Sequence, residues 1–226
     1  MTEVDSQAET SEAAPIAAFH STPHLLVSDF LAPGQAQSLL EYAMLKYPRF
    51  QAGGVGAGQH AKINPEIRKA RVTSDLAQHR DVLRLAVKAE LPRLLHAFGM
   101  RMPVEWKLEM SLVGYRDGDF YGRHIDTQTN GKPRDLPRLP RLLSCIYYVY
   151  REPKGFEGGQ LRLHSISRST QVDIEPRHNM LAVFPSWMTH EVLPVRVATD
   201  EAGNYRFGVN IWFRGTYKHP EPIPED

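Results

Sequence analysis

His124 and Asp126 stand two residues apart in the segment GRHIDTQ, and His190 follows much later in SWMTHEVLP. Two neutral imidazoles and one carboxylate form a ligand set suited to Fe(II), with coordination positions left open for a cosubstrate and dioxygen. On an extended strand, residues two apart point to the same face, so His124 and Asp126 can reach one ion from a strand end. His190 must then come from another strand. Taken alone, a His-x-Asp pair is a common surface feature, and a zinc site would draw on similar ligands. The chain holds a single cysteine, Cys145, which argues against structural zinc. It also lacks the His-Glu-x-x-His helix of metallopeptidases.

Arg206 opens the segment RFGVNIWFRG, just after the polar turn DEAGN. By the strand period of two, Arg206, Gly208, Asn210 and Trp212 share one face. An arginine at a pocket mouth presents a planar fork that suits a carboxylate. A 2-oxoglutarate that chelates iron through its oxo acid end needs such a partner at its other end. The plain alternative for Arg206 is a solvated charge on a strand edge. His96, His164 and His178 read as structural or surface residues, and Cys145 as an inert thiol in apolar company.

These residues need elements to carry them. A short strand is expected at 24–28, ending before Pro33-Gly34. PGQAQSLLEYAMLKY then reads as a helix, with Leu39, Leu40, Ala43 and Met44 on one face. QAGGVGAGQHAKINP is rich in glycine and without periodicity, and predicts a loop whose spacing is unlike a phosphate-binding one. A second helical stretch runs from about Ser74 to Phe98, kinked or divided at Pro92. Beyond residue 104 the texture changes to short β-prone segments, namely WKLEMSLVGY, RLLSCIYYVY, GGQLRLHSI, QVDIEP, MLAVFPS and YRFGVNIWFRG. Helices first and strands later, with no βα alternation, predict a mostly β jelly roll with the helices packed on one sheet.

The chain of 226 residues suits one domain, expected over 21–226, with helical support at about 33–98 and the jelly-roll core at about 104–215. Residues 1–20 read as a disordered acidic tail, with no basic leader before an apolar run. A net charge of +1 gives no support to a nucleic-acid or membrane partner. No segment reads as a membrane span, and one cysteine suits a reducing compartment, so the cytoplasm is expected.

Between residues 105 and 214 the chain resembles the 2-oxoglutarate and Fe(II)-dependent dioxygenases, in their prolyl 4-hydroxylase branch. The resemblance is carried by GYRDGDFYGRHIDTQ, SCIYYVYREPKGFEGGQLRLH, VDIEPRHNMLAVFPS, HEVLPV and RFGVNIWF, and extends to the hypoxia-sensing prolyl hydroxylases and their bacterial relatives. It implies a double-stranded β-helix with His124, Asp126 and His190 as iron ligands. It further implies that Arg206 holds the distal carboxylate of 2-oxoglutarate, that Tyr148 hydrogen-bonds the same carboxylate, and that Tyr115 lines the pocket. Core packing is the plain alternative for both tyrosines. Tyr121, Arg141 and Trp212 match positions on the substrate side. The implied reaction consumes 2-oxoglutarate and dioxygen, yields succinate and carbon dioxide, and admits ascorbate as a reductant. Because Asp126 supplies a carboxylate where related halogenases carry a small residue, hydroxylation is the expected outcome. The intact ligands and arginine argue against a binding module that has lost catalysis.

Three departures bear on substrate. The His190–Arg206 interval carries an extra excursion, VATDEAGN, expected to border the pocket. The stretch TQTNGKPRDLPRLPR is long, basic and proline-rich, and could contact a polypeptide. Ala70 and Ser74 stand where the hypoxia-sensing relatives have an acidic residue and a tryptophan. A prolyl residue in a protein or peptide is the leading substrate. The alternative is a small molecule, such as a free or carrier-bound amino acid or a natural-product intermediate. Nucleic-acid demethylation rests only on Arg134, Arg138 and Arg141 and is not expected.

Overall fold

Period-two patterning in the second half of the chain produces two sheets that close over one another in the computed structural model, which describes residues 20–55, 62–127 and 139–217. The strands are β1 (Leu25–Val27), β2 (Gln51–Ala52), β3 (Arg68–Lys69), β4 (Arg71–Thr73), β5 (Glu105–Tyr115), β6 (Phe120–His124) and β7 (Arg141–Val149). They continue with β8 (Phe156–Gly158), β9 (Leu161–His164), β10 (Gln171–Ile174), β11 (Met180–Pro185), β12 (His190–Val192), β13 (Val195–Val197) and β14 (Arg206–Thr216). The major sheet has the order β1-β11-β7-β14-β5-β4-β2, and the minor sheet β10-β9-β12-β6-β3. Strands β8 and β13 form a separate antiparallel pair. This is the expected double-stranded β-helix. The expected tail, apart from His20, and the basic stretch 128–138 lie outside the described residues.

Alternation along β7 and β14 divides the molecule into two apolar layers. Leu143, Cys145, Tyr147 and Val149 on β7, with Phe207, Val209, Ile211 and Phe213 on β14, face the helices. The helices α1 (Pro33–Lys46) and α2 (His79–Ala97) answer with Leu39, Leu40 and Ala43, and with Leu83, Val87, Leu91, Leu94 and Leu95. The opposite face of the same strands, with Ile146 and Tyr148, packs inward against Leu161, Leu163 and Phe184. The odd and even residues of one strand therefore serve core and site separately.

Helix α1 starts at Pro33, where a missing N–H costs nothing. Helix α2 starts later than the pattern suggested. Ser74 to Gln78 form a turn: the Asp75 carboxylate accepts from Ala77 N at 3.1 Å, and Ala77 adopts a left-handed φ of 43°. Leu76 is buried from that turn and continues the apolar pattern without continuing the helix. Pro92 does not divide α2. It lies on the exposed face, while Leu91, Leu94 and Leu95 on either side of it are anchored in the core.

Candidate metal centre

The ends of two neighbouring strands of the minor sheet bring the three ligands together. His124 closes β6, His190 opens β12, and the two are directly paired across the ladder. Asp126 lies just past the end of β6, fixed by donation from its own N–H and that of Thr127 to the Ser186 carbonyl, each at 3.1 Å. Nε2 of His124 stands 3.7 Å from Asp126 Oδ1, and Nε2 of His190 stands 3.5 Å from Asp126 Oδ2. One ligand atom from each residue lies within 4.8 Å of the others, a spacing that fits a single ion.

Both imidazoles are oriented from behind. His124 Nδ1 donates to the Gly122 carbonyl at 2.8 Å, and His190 Nδ1 to the Met188 carbonyl at 2.9 Å. With Nδ1 carrying the proton, Nε2 keeps its lone pair for a metal. Burial, with His190 alongside, depresses the His124 pKa well below the ordinary imidazole range, which keeps it in the neutral ligating form. Burial alone would raise Asp126, but His190, His124, Arg141 and the Ser144 hydroxyl outweigh it and hold the carboxyl below its usual range. The ligand set is thus a neutral His124, an anionic Asp126 and a His190 whose Nδ1 is engaged from behind.

The carboxylate is held on one side only. Asp126 Oδ2 accepts from Ser144 Oγ at 2.7 Å and from Trp212 Nε1 at 2.8 Å. Ser144 Oγ lies 2.8 Å from Ser186 Oγ in turn. That leaves Oδ1 with lone pairs for an ion. Tyr121 stacks on His124 with centroids 3.6 Å apart, and Arg68 lies over the Tyr121 ring at 4.5 Å from its centre. A small cavity of about 20 Å³ opens over the ligands, lined also by Tyr115, Tyr121, Asn210 and Trp212.

Arg206 and Tyr148 form a buried polar pocket adjoining this space. The guanidinium of Arg206, 1% exposed, lies 4.8 Å from the Tyr115 ring centre and 4.9 Å from that of Tyr148. Its Nε and Nη2, and the Tyr148 hydroxyl, are buried without a hydrogen-bond partner in the protein. Burial pushes the Tyr148 hydroxyl up to about 12, so it stays protonated and able to donate. Three orphaned donors around one cation make a receptor for a carboxylate, because leaving such groups unpaired is costly. Gly159 keeps the pocket open, since a Cβ there would fall 2.6 Å from Arg206 Cδ. The donor set fits 2-oxoglutarate: a carboxylate for Arg206 and Tyr148, with an open metal face for the oxo acid end.

The structure thus brings the expected ligands, Tyr115, Tyr121 and Trp212 around one space, with Arg206 packed against Tyr115 and Tyr148 beside it. Arg141 joins them with Nη1 3.6 Å from Asp126 Oδ1 and its guanidinium 3.7 Å over the Trp212 ring. Ser144, Glu109 and Arg68 were missed by sequence reasoning. Ser144 and Glu109 were findable by period two, as Ser144 precedes Tyr148 by four and Glu109 precedes Tyr115 by six on their strands. The excursion VATDEAGN does not line this cavity. Asn204 packs on Gly155 and accepts from Arg151 Nη2 at 3.2 Å, and Tyr205 donates to Asp200 at 2.6 Å, which folds the segment back on itself. His164 pairs with Glu191 at 2.8 Å, His178 Nδ1 donates to the Tyr150 carbonyl at 2.6 Å, and His96 is exposed at the end of α2. Cys145 is buried and its thiol is pushed up to about 12 by burial, as an inert residue requires.

Residues 110–214 match the model of the 2OG-Fe(II) oxygenase superfamily. An uncharacterised PKHD-type hydroxylase of Synechocystis is 26% identical over 198 residues, which span 83% of this chain and 62% of that protein. A Pseudomonas putida prolyl-4-hydroxylase structure is similar at TM-score 0.62 and 22% identity, covering 89% of this chain and 98% of that one. A Trichoplax adhaerens prolyl hydroxylase, solved with a hypoxia-inducible-factor peptide fragment, matches at TM-score 0.64 and 20% identity, over 88% and 86% of the two chains. The matched segment, just under half of the chain, contains all three ligands.

Proposed function

We propose that this chain is an Fe(II)- and 2-oxoglutarate-dependent hydroxylase, folded as one catalytic unit over residues 21–226, that acts on a prolyl residue in a protein or peptide. The observation that carries the cofactor half is the buried, unpaired Arg206 and Tyr148 donor set beside an open His-Asp-His face. When bound, Fe(II) and 2-oxoglutarate with dioxygen supply an oxidant able to hydroxylate an aliphatic C–H bond, with succinate and carbon dioxide as coproducts. His124, Asp126 and His190 would hold the metal. Arg206 and Tyr148 would hold the distal carboxylate, with Tyr115 closing the pocket wall. Tyr121, Trp212 and Arg141 form the rim that would orient the substrate and exclude water from the reacting position. No side chain is required as a general base, and ascorbate would serve only as a reductant.

The prolyl reading is supported by the fold shared with prolyl hydroxylases and by the aromatic and cationic rim. A small-molecule substrate is the second reading. It is favoured by Ala70, buried between β3 and β4, and by the exposed Ser74, neither of which is acidic or aromatic.

Anaerobic addition of Fe(II) and 2-oxoglutarate is expected to produce the weak visible charge-transfer band of the chelate. Its absence from iron-loaded protein would overturn the cofactor reading. For the substrate, cell extract incubated with and without enzyme is compared by mass spectrometry. One added oxygen on a proline-containing peptide supports the prolyl reading, and one added only in the metabolite fraction supports the second. Among the described residues no helix is long and apolar enough to cross a membrane. We place the enzyme in the cytoplasm on its single cysteine.

A further inference from the structure

Arg141 sets a full positive charge beside the metal-binding carboxylate, with Nη1 3.6 Å from Asp126 Oδ1. Oδ2 is already engaged by Ser144 and Trp212. Oδ1 is therefore the oxygen whose lone pairs an ion would use, and a guanidinium within a short swing is a competitor for them. Something must hold it off. Glu109 does so: its Oε1 accepts from Arg141 Nη2 at 2.5 Å, and its Oε2 accepts from Arg214 Nη1 at 2.8 Å. Arg214 is anchored independently, its Nε donating to the Leu139 carbonyl at 2.7 Å.

The sheet register builds this arrangement. Trp212 on β14 lies opposite Ser144 on β7 and opposite Glu109 on β5, and Arg214 lies opposite Arg141. Cross-strand neighbours on one face are in contact range, so the row Ser144–Trp212–Glu109 spans three strands. With Glu109 pulling from one side, the Arg141 guanidinium lies over the Trp212 ring, which itself bonds Asp126. Two arginines and two carboxylates balance in this cluster. Loss of the Glu109 charge would leave an excess positive charge next to a divalent cation site and free Arg141 to pair with Oδ1. Both consequences oppose metal binding.

We infer that Glu109 is a positioning residue for the metal centre, fixing Arg141 on Trp212 so that Asp126 Oδ1 stays available to the ion. The inference rests on the reading of His124, Asp126 and His190 as metal ligands. It is tested by calorimetric titration of the full chain with Mn(II), which needs no turnover. Glu109→Gln keeps the side-chain shape and is expected to bind Mn(II) about 10–100-fold more weakly, the usual range for loss of a group supporting a ligand. Glu109→Gln/Arg141→Gln is expected to return to within a few-fold of wild type, since the competitor and the excess charge are both gone. Arg141→Gln alone is expected to bind at least as tightly as wild type, which keeps the test decisive should Glu109→Gln fold poorly. Unaltered affinity in Glu109→Gln, a double variant as weak as the single, or weakened binding in Arg141→Gln would each overturn the inference. Wild-type protein that binds no Mn(II) would instead overturn the metal centre itself.

Discussion

Arg206 is the residue on which the cosubstrate assignment turns. A guanidinium 1% exposed, with Nε and Nη2 unpaired, is an expensive arrangement for a folded chain to keep unless a partner arrives. Arg206→Ala is expected to weaken 2-oxoglutarate binding about hundredfold, in line with loss of one partner of a buried charged pair. Arg206→Lys recovers only part of this, because an ammonium cannot reproduce the fork. Titrating the anaerobic charge-transfer band reads both, and equal binding in Arg206→Ala and wild type would remove Arg206 from the site. Gly159→Ala acts on the same group indirectly. The position has φ of 68°, and its Cβ would fall 2.6 Å from Arg206 Cδ. It is expected to weaken 2-oxoglutarate binding while Mn(II) affinity stays at wild type. A parallel loss of both would point to general misfolding. The triad was legible in the sequence because ligand chemistry restricts residue type, and Arg206 was singled out there as a partner for a carboxylate. Ser144 and Glu109 were not singled out, because a serine and a glutamate on a strand have many plain uses. Only the register of β5, β14 and β7 brings them into a row with Trp212.

Elements were legible in kind and less so in extent. All the β-prone segments beyond residue 104 became strands, since alternation reports which face is buried and the burial is real. The start of α2 was misread, because Leu76 fits the apolar pattern while an Asp75-centred turn occupies the preceding residues. Apolar spacing records burial and does not by itself record hydrogen bonding. Pro92 is expected to kink or divide the helix, yet it does not divide it, because two flanking turns of buried leucines outweigh one lost hydrogen bond. Pro92→Ala restores that bond on an exposed face and is expected to stabilise the fold by about 1–3 kcal/mol, measured by chemical denaturation. No gain would mean that the helix has already relaxed around the ring. The tight turn between β5 and β6 carries a different cost. Asp119, 2% exposed, has its pKa raised by burial, although it accepts from Arg116 N at 2.9 Å. A carboxyl whose folded pKa exceeds its unfolded value favours the fold below the unfolded value and loses that contribution as pH rises through the folded one. Asp119→Asn keeps an acceptor and removes the charge. Its melting temperature is expected to exceed wild type by a few degrees at pH 7, with the gain shrinking as pH falls towards 3. A pH-independent difference would assign the effect to packing.

At the scale of the whole molecule, the metal centre is where the two sheets are joined by polar contacts rather than by apolar packing. His124 and His190 belong to the minor sheet, whereas Ser144 and Trp212, which hold Asp126, belong to the major one. An ion bound by all three ligands would therefore link β6 and β12 to β7 and β14 through Asp126. Ligands that bind only the folded chain stabilise it by mass action, so Mn(II) at about a hundred times its dissociation constant is worth about 2.7 kcal/mol. For a chain of this size that corresponds to a rise in melting temperature of about 5–10 °C. Asp126→Ala removes the anionic ligand and the link between sheets together, and leaves the Trp212 indole N–H without its acceptor and Ser144 with Ser186 alone. Its melting temperature is expected to be unmoved by Mn(II), and to lie below that of metal-free wild type, because Asp126 accepts two hydrogen bonds even without an ion. Thermal unfolding of both proteins, each with and without Mn(II), measures the two effects separately. A metal-induced rise that survives in Asp126→Ala would show that the ion stabilises from elsewhere, and that the sheets are not joined at this centre.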